Sequence, residues 1–126
     1  MMTAASSNDC ESNLPETVAA AVDCLLAEFD PALLEQLKRT PSGSLRVYHH
    51  EWGPVIQNRF RLAGRNEALV EDCRRLYALR MRAKFVEFEL EPLSALRALM
   101  PRSSAFVVIL ESLWERLREM DAVQPR

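Results

Sequence analysis

Prolines divide this chain into short stretches, and the residues that follow them are apolar at helical spacing. Pro15, Pro31, Pro54 and Pro101 each stand just ahead of such a stretch, and Pro92 separates two more. A proline fits the first turn of a helix because its missing N–H would have no partner there, but it interrupts a helix interior. The spacing therefore predicts several short helices in place of one long helix or a sheet.

The first helices are predicted from start signals that precede an apolar face. Leu14-Pro15-Glu16-Thr17 opens the first helix with Pro15 in its first turn, and Asp30-Pro31 gives the second an N-cap and a first residue. Gly53-Pro54 starts the third helix. The stretch 45–48 before it is predicted to be a very short strand or an extended approach.

The C-terminal half contains the strongest core pattern. Ala63-Gly64-Arg65-Asn66 is a break that ends in an N-cap for a fourth helix, Pro92 to Met100 is a short helix, and Pro101–Ser104 caps the last one. One broad face of the last helix carries the apolar residues Phe106, Val107, Ile109, Leu110, Leu113, Trp114 and Leu117. We expect this helix to form the centre of the core, with Trp114 buried.

Residues 79–91 are ambiguous between helix and strand. Apolar residues alternate with basic ones from residue 79, as in a strand, but the alternation slips by one at Phe85-Val86, so a strand would need a bulge. A helix would need no irregularity. It would place on one stripe the residues Leu79, Ala83, Val86 and Leu90, and on another the residues Arg80, Lys84, Glu87 and Glu91. The helix is favoured.

The predicted fold is all-α and mostly helical, a compact bundle of about five to six helices. A chain of 126 residues, 48% of them hydrophobic, is the size of one domain and can bury a core. We assign residues 14–120 to this domain. Residues 1–13 are small and polar and are predicted to form a disordered tail, and residues 121–126 form a second tail.

The sequence predicts a cytoplasmic protein of bacterial origin. No apolar run approaches the roughly 18 residues that span a membrane, so no membrane partner is expected. Residues 1–12 lack the basic start and apolar stretch of a signal peptide. Arginine outnumbers lysine 14 to 2, which is typical of a GC-rich bacterial genome.

The three cysteines, Cys10, Cys24 and Cys73, do not suggest a disulfide scaffold or a zinc ribbon. Their number is odd and no Cys-x-x-Cys occurs. Cys24 and Cys73 lie in apolar helical patterns, so they are expected to be buried thiols. A Cys73–His50 nucleophile pair is the minority alternative, which would make the chain a small enzyme.

Charge is distributed unevenly along the chain. Residues 1–35 carry seven acids and no base, whereas residues 57–84 carry eight bases and three acids. The basic stretch could bind an electrostatic partner such as nucleic acid. The favoured interpretation is that the acidic helix packs beside the basic one. An overall net charge of −2 and the scatter of the bases around their helix argue against nucleic acid as a partner.

The stretch from His49 to Phe60 holds more kinds of functional group than any other. Two adjacent histidines point apart on a helix and the sequence has no second ligand cluster, so no metal is expected. No other cofactor and no catalytic residue is predicted. One interpretation is structural, with a histidine and Trp52 packing at the helix entry. The alternative is a protein-recognition face, because these residue types anchor interfaces. Its candidate residues are Tyr48, His49, His50, Trp52, Gln57, Asn58 and Arg59. If these side chains are structural instead, the binding site is expected on residues 79–102.

Three motifs stand out along the chain. They are Leu14-Pro15-Glu16-Thr17-Val18 before an Ala-Val-x-x-Leu-Leu helix, His50-x-Trp52-Gly53-x-x-Ile56-x-Asn58-x-Phe60, and Val108 to Leu117. Together they resemble a small bacterial domain family of unknown function. The resemblance spans residues 14–118. It implies that residues 79–102 are an insertion, since the relatives join the fourth and last helices by a shorter link. The family implies no mechanism, but its sequences resemble in general character those of small bacterial immunity and accessory proteins.

Together these features predict a module that binds another protein. The most concrete form is an immunity-type or antitoxin-like inhibitor of a bacterial effector, which would act by steric and electrostatic occlusion. The face at residues 48–61 or an acidic helix would cover a basic site on the effector. The alternatives are a nucleic-acid-associated regulatory protein and, less favoured, a small His/Cys enzyme.

Overall fold

A computed structural model describes residues 14–123, with side chains described as far as residue 120. The α-helices of this stretch are α1 Val18–Glu28, α2 Pro31–Arg39, α3 His49–Arg59, α4 Glu67–Lys84, α5 Leu93–Ala98 and α6 Ala105–Val123. They are joined by 3-10 helices at Ser42–Tyr48, Val86–Phe88 and Arg102–Ser104. No strand occurs between residues 14 and 123, so the predicted all-α fold of about five to six helices is confirmed.

The last helix, α6, lies at the centre of the bundle, where it contacts α1, α2, α3 and α4. Ile109, Leu110 and Leu113 on its inner face are fully buried. Burial of one such side chain contributes roughly 1.5–3 kcal/mol, so this face is a large part of the stabilising energy. The sequence-based placement of the core on this helix agrees with the structure.

Trp114 is less buried than the sequence predicts. It lies at the edge of the apolar face of α6, partly exposed, where it packs against the core. Its Nε1–H donates to the Thr40 carbonyl over 2.7 Å, and the Arg118 guanidinium lies 4.6 Å from the ring centroid. An indole N–H needs an acceptor when it leaves water, and this acceptor stands at the end of α2 near the surface. The hydrogen bond therefore holds the ring at the rim of the core.

Local capping sets the starts of α1 and α2. α1 begins at Val18 because Thr17 is its N-cap, so Pro15 stands ahead of the helix and not in its first turn as predicted. The Val18 N–H donates to an Asp72 carboxylate oxygen of α4 over 2.7 Å, which ties two helices together. Asp30 caps α2 as predicted, accepting from the Ala32 N–H over 2.9 Å.

The start of α3 differs from the prediction. The helix begins at His49 and contains Pro54, whereas the sequence placed its start at Gly53-Pro54. The reason is the 3-10 helix Ser42–Tyr48, because the chain is already helical when it reaches His49. This 3-10 helix also occupies the segment 45–48, where a strand or an extended segment was expected. Pro54 is exposed and lies inside this helix, where it cannot donate the N–H bond that an interior residue normally makes.

The ambiguous stretch 79–91 is helical only in its first part. α4 continues to Lys84, and Phe85 then adopts an extended conformation, with φ −120° and ψ 119°. The 3-10 helix Val86–Phe88 reverses the chain so that α5 packs back on α4. The favoured helix is thus confirmed to Lys84 and wrong beyond it, because the packing of α5 requires a turn. We call α4, residues 85–92 and α5 the helical hairpin.

The described residues cover part of the C-terminal tail predicted from the sequence and none of the N-terminal tail. α6 continues to Val123, three residues into the C-terminal tail that the sequence predicted at 121–126. The predicted N-terminal tail, residues 1–13, lies outside the described residues, and so does Cys10. Cys24 and Cys73 are buried, as their positions in apolar patterns predicted.

Candidate functional site

Trp52 is the centre of the stretch that the sequence singled out, and it is part of the core. It is only 6% exposed. Its ring meets Phe29 of the α1–α2 junction edge to face at a centroid distance of 4.9 Å, and it meets Tyr48 at 5.1 Å. The hydroxyl groups of Tyr48 and Thr40 lie 2.9 Å apart, within hydrogen-bonding distance. This aromatic cluster holds the entry of α3 against the bundle. The contacts of Trp52 are with Phe29 and Tyr48, and not with a histidine as the structural interpretation of the motif predicted.

The two histidines point to different surroundings. His49 is partly buried and its ring meets Phe106 of α6 edge to face, with centroids 5.4 Å apart. His50 is exposed. Within residues 14–120, no group of three or more His, Cys, Asp or Glu side chains is arranged to hold a metal ion.

Gly53 explains why α3 can approach α6 so closely at this point. A Cβ atom added to Gly53 would lie 3.0 Å from Cε1 and 3.1 Å from Cζ of Phe106. Those distances are shorter than ordinary contacts between carbon atoms. The glycine in the His-His-Glu-Trp-Gly stretch is therefore a packing residue, and it allows the Phe106 ring to lie against the backbone of α3.

The polar end of α3 is used mainly inside the molecule. The Gln57 side chain donates to the Ser103 carbonyl over 3.3 Å. Arg59 donates twice to the Glu28 carboxylate of α1, at 2.8 and 2.6 Å, and its side chain is largely buried. Asn58 is exposed. The structure thus brings Tyr48 and Trp52 together but directs Gln57 and Arg59 to separate neighbours, and leaves His50 and Asn58 at the surface.

Many basic side chains of residues 57–84 are engaged by acids of the same molecule. Arg75 pairs with Asp72 at 2.8 Å, and Arg74 pairs with Glu71 at 2.6 Å. Arg80 reaches across to α6, where it contacts Glu115 at 3.0 Å and the Ser112 hydroxyl at 2.9 Å. These pairs lie on different sides of α4 and reduce its positive potential. They give little basis for a continuous phosphate-binding surface.

A cleft of about 490 Å³ lies between the 3-10 helix Ser42–Tyr48, the end of α4 and α6. Its charged lining includes Arg80, which is already paired with Glu111 and Glu115. Opposite charges that neutralise one another leave little to orient a small ligand. We therefore interpret this cleft as a gap left where these three elements pack together, and not as a ligand site.

The thiol of Cys73 does not suit a nucleophile. Burial, with a smaller contribution from the Asp72 carboxylate, raises its pKa to about 12. The thiolate is the reactive form, so the thiol is almost wholly unreactive at neutral pH. His50, its suggested partner, is exposed on α3, whereas Cys73 is fully buried on α4.

The candidate residues chosen from the sequence at positions 48–59 do not include the tip of the helical hairpin, which we define as residues 85–91. Nine large hydrophobic side chains are exposed among the described residues, and five of them lie between residues 79 and 99. They are Leu79, Phe85, Val86, Leu90 and Leu99. Val86 is 80% exposed and Leu90 is 96% exposed, so both are unusually accessible for their type. The tip lies within residues 79–102, the alternative location of the binding site that the sequence predicts.

No family model, curated protein or solved structure matches the chain. Among the helices of the described stretch, none combines the length and the apolar character that a membrane crossing requires. Function is therefore inferred from the surface of this chain.

Proposed function

We propose that this chain is a protein-binding module and, in its most concrete form, an immunity-type or antitoxin-like inhibitor of a bacterial effector. One observation carries the proposal: five of the nine large apolar side chains that are exposed among the described residues lie between residues 79 and 99, on the helical hairpin and directly after it. Exposed apolar residues that cluster on one element mark interaction surfaces more often than residues scattered singly. The inhibitor would act by occlusion, covering the site where the effector binds its own substrate.

The structure supports the hairpin as the docking surface in preference to residues 48–61. Tyr48, Trp52 and Arg59 already have partners within the molecule, and truncating them would damage the fold before it affected a partner. His50 and Asn58 remain at the surface and could contribute at the margin of an interface. In the proposal the compact bundle holds the hairpin, and the hairpin makes the contact.

Co-expression tests this proposal. Each reading frame next to this gene would be expressed alone in a laboratory bacterium and then together with this protein. We expect one neighbour to arrest growth, and we expect co-expression to restore growth through a complex that elutes as one species in gel filtration. A neighbourhood without a toxic product, or a toxic product that this protein neither binds nor neutralises, would contradict the proposal.

A further inference from the structure

The tip of the hairpin presents a small apolar surface in a fixed conformation. Three backbone hydrogen bonds close the turn, from Phe88 to Phe85, from Glu89 to Val86 and from Glu91 to Phe88, each between 3.0 and 3.1 Å. The rings of Phe85 and Phe88 meet edge to face at 5.9 Å. Val86 and Leu90 lie within this turn, and their side chains are exposed. A preordered surface loses less entropy on binding than a mobile one.

The acidic side chains around this surface have no partner among the described residues. Glu87, Glu89 and Glu91 are exposed, and none forms an ion pair within residues 14–120. Arg82 contacts Glu91 at its backbone carbonyl, which accepts over 2.6 Å, and not at its carboxylate. Elsewhere, carboxylates such as Glu28, Asp72 and Glu115 are paired with arginines of this chain. The charge of the tip is therefore available to a second molecule.

We propose that the tip docks onto a basic surface of another protein, with Val86 and Leu90 as apolar anchors and the three glutamates as a charged rim. This inference rests on the proposed protein-binding function and specifies the chemistry of the partner. Apolar groups at the centre with charges around them are the usual arrangement of a specific interface. A partner site that holds lysines or arginines around an apolar centre would complement the tip in both respects.

A second copy of this chain fits the hairpin tip less well than a basic partner protein does. A symmetric pairing of two tips would bring three glutamates against three glutamates, and like charges at an interface are repulsive. The first 13 residues of the chain are no better suited, because they contain Asp9 and Glu11 and no basic residue. A basic partner is the occupant that the charge of the tip favours.

Binding of two synthetic probes tests the inference. The first is an 18-residue amphipathic helical peptide of leucine and lysine, and the second is its counterpart of leucine and glutamate. Fluorescence anisotropy would measure the affinity of each peptide for the full chain at low and at physiological salt. Amide chemical shifts in NMR spectra would locate the contact. We expect the basic peptide to bind, to lose affinity as salt rises, and to shift the amides of residues 84–91; the acidic peptide should not bind.

Two variants and two matched controls give the site resolution. Two variants of the tip should each lower the affinity for the basic peptide about tenfold. They are the triple variant Glu87→Gln/Glu89→Gln/Glu91→Gln and the double variant Val86→Ser/Leu90→Ser. The control Glu51→Gln/Glu119→Gln removes exposed acids that are also unpaired among the described residues, and the control Val47→Ser/Val55→Ser removes exposed valines outside the tip. Both controls should bind the peptide within about twofold of the parent chain.

Several results would overturn the inference. They are absence of binding by the basic peptide, equal binding of both peptides, shifts away from the tip, and controls that lose as much affinity as the tip variants. Self-association in sedimentation experiments that Val86→Ser/Leu90→Ser abolishes would instead identify a second copy as the occupant. The two proposals fail separately: an effector that is still neutralised by both tip variants would overturn this surface and leave the inhibitor function standing.

Discussion

At the scale of single residues, the buried amide of Asn66 joins three parts of the chain. Its Oδ1 accepts from the Leu69 N–H over 3.3 Å and caps α4, while its Nδ2 donates to the carbonyls of Pro15 and Phe60 over 3.0 and 3.1 Å. The sequence predicted the cap, because an N-cap is a local feature. It could not predict the bond to the Pro15 carbonyl, because Pro15 lies 51 residues away.

Replacement of Asn66 should measure this arrangement. Asn66→Ala removes the cap and leaves two buried carbonyls without a donor, so we expect a loss of about 2–4 kcal/mol in the free energy of unfolding. Asn66→Asp keeps the capping oxygen but cannot donate, and should also be strongly destabilising. The exposed Asn58→Ala is the matched control and should change stability by less than about 0.5 kcal/mol. Urea denaturation gives all three values, and equal losses at both asparagines would contradict the assignment.

The thiol of Cys73 should make stability depend on alkaline pH. Its pKa is raised from 9.0 to about 12 in the folded state. The folded protein therefore holds this proton more tightly than the unfolded chain. The contribution is fully present below pH 9 and is lost between pH 9 and pH 12.

At pH 10 the expected loss from Cys73 relative to pH 7 is about 1.4 kcal/mol. Tyrosines and lysines also titrate in this range, so the comparison is with Cys73→Ala, whose stability should fall by that much less between the two pH values. Urea denaturation at pH 7 and pH 10 gives the difference. Identical pH dependence in both proteins would show that the thiol is not desolvated.

Single residues also show why the candidate site was difficult to predict. The sequence grouped Tyr48, Trp52, Gln57 and Arg59 because they are close along the chain and chemically suited to interfaces. Their partners are distant in sequence: Arg59 pairs with a residue 31 positions away, and Gln57 with one 46 positions away. A side chain that has found such a partner looks the same in the sequence as one that has not.

At the scale of elements, the contact between α3 and α6 depends on the missing side chain of Gly53. Gly53→Ala should favour the helix by up to about 1 kcal/mol through backbone propensity, but its Cβ would collide with the Phe106 ring. We expect the collision to dominate, so that the variant is destabilised. In the Phe106→Ala background the same substitution should become stabilising, because the ring is absent.

A double-mutant cycle measures this change of sign. Gly64→Ala is the control, since nothing lies within 4 Å of the added Cβ and no left-handed conformation opposes it. It should stabilise the protein by about 0.4–1 kcal/mol. An identical effect of Gly53→Ala in both backgrounds would mean that α3 and α6 are not in close contact at this point.

The limits of the helices were predictable where a local signal sets them. Asp30 and Asn66 define the starts of α2 and α4, and both act through a side chain within three residues of the backbone group that it satisfies. The end of α4 is different, because the same residues 79–91 would suit a helix, a bulged strand or a turn. The packing of α5 against α4 selects the turn, and that contact is tertiary. The start of α3 was missed since the preceding 3-10 helix overrides the Gly-Pro signal.

At the scale of the whole molecule, surfaces that are engaged by the fold can be distinguished from surfaces that remain available. Arg59 ties α3 to α1 through Glu28, and Tyr48 packs on Trp52 while its hydroxyl lies close to that of Thr40. The hairpin tip is held by its backbone and by Arg82, and its exposed side chains add little to the bundle. Truncation should therefore destabilise the fold at the first surface and leave its stability almost unchanged at the hairpin tip.

Thermal unfolding of two double variants decides between them. Tyr48→Ala/Arg59→Ala leaves Glu28 unpaired and removes a ring from the Trp52 cluster, so we expect a loss of about 3–5 kcal/mol. For a domain of this size that loss lowers the Tm by roughly 10–20 °C. Val86→Ser/Leu90→Ser should stay within about 0.5 kcal/mol of the parent chain, because both side chains are already in water. A tip variant that melts as early as the Tyr48/Arg59 variant would show that the hairpin tip is a structural element, and the docking surface would then be sought on the exposed side of α3, around His50 and Asn58.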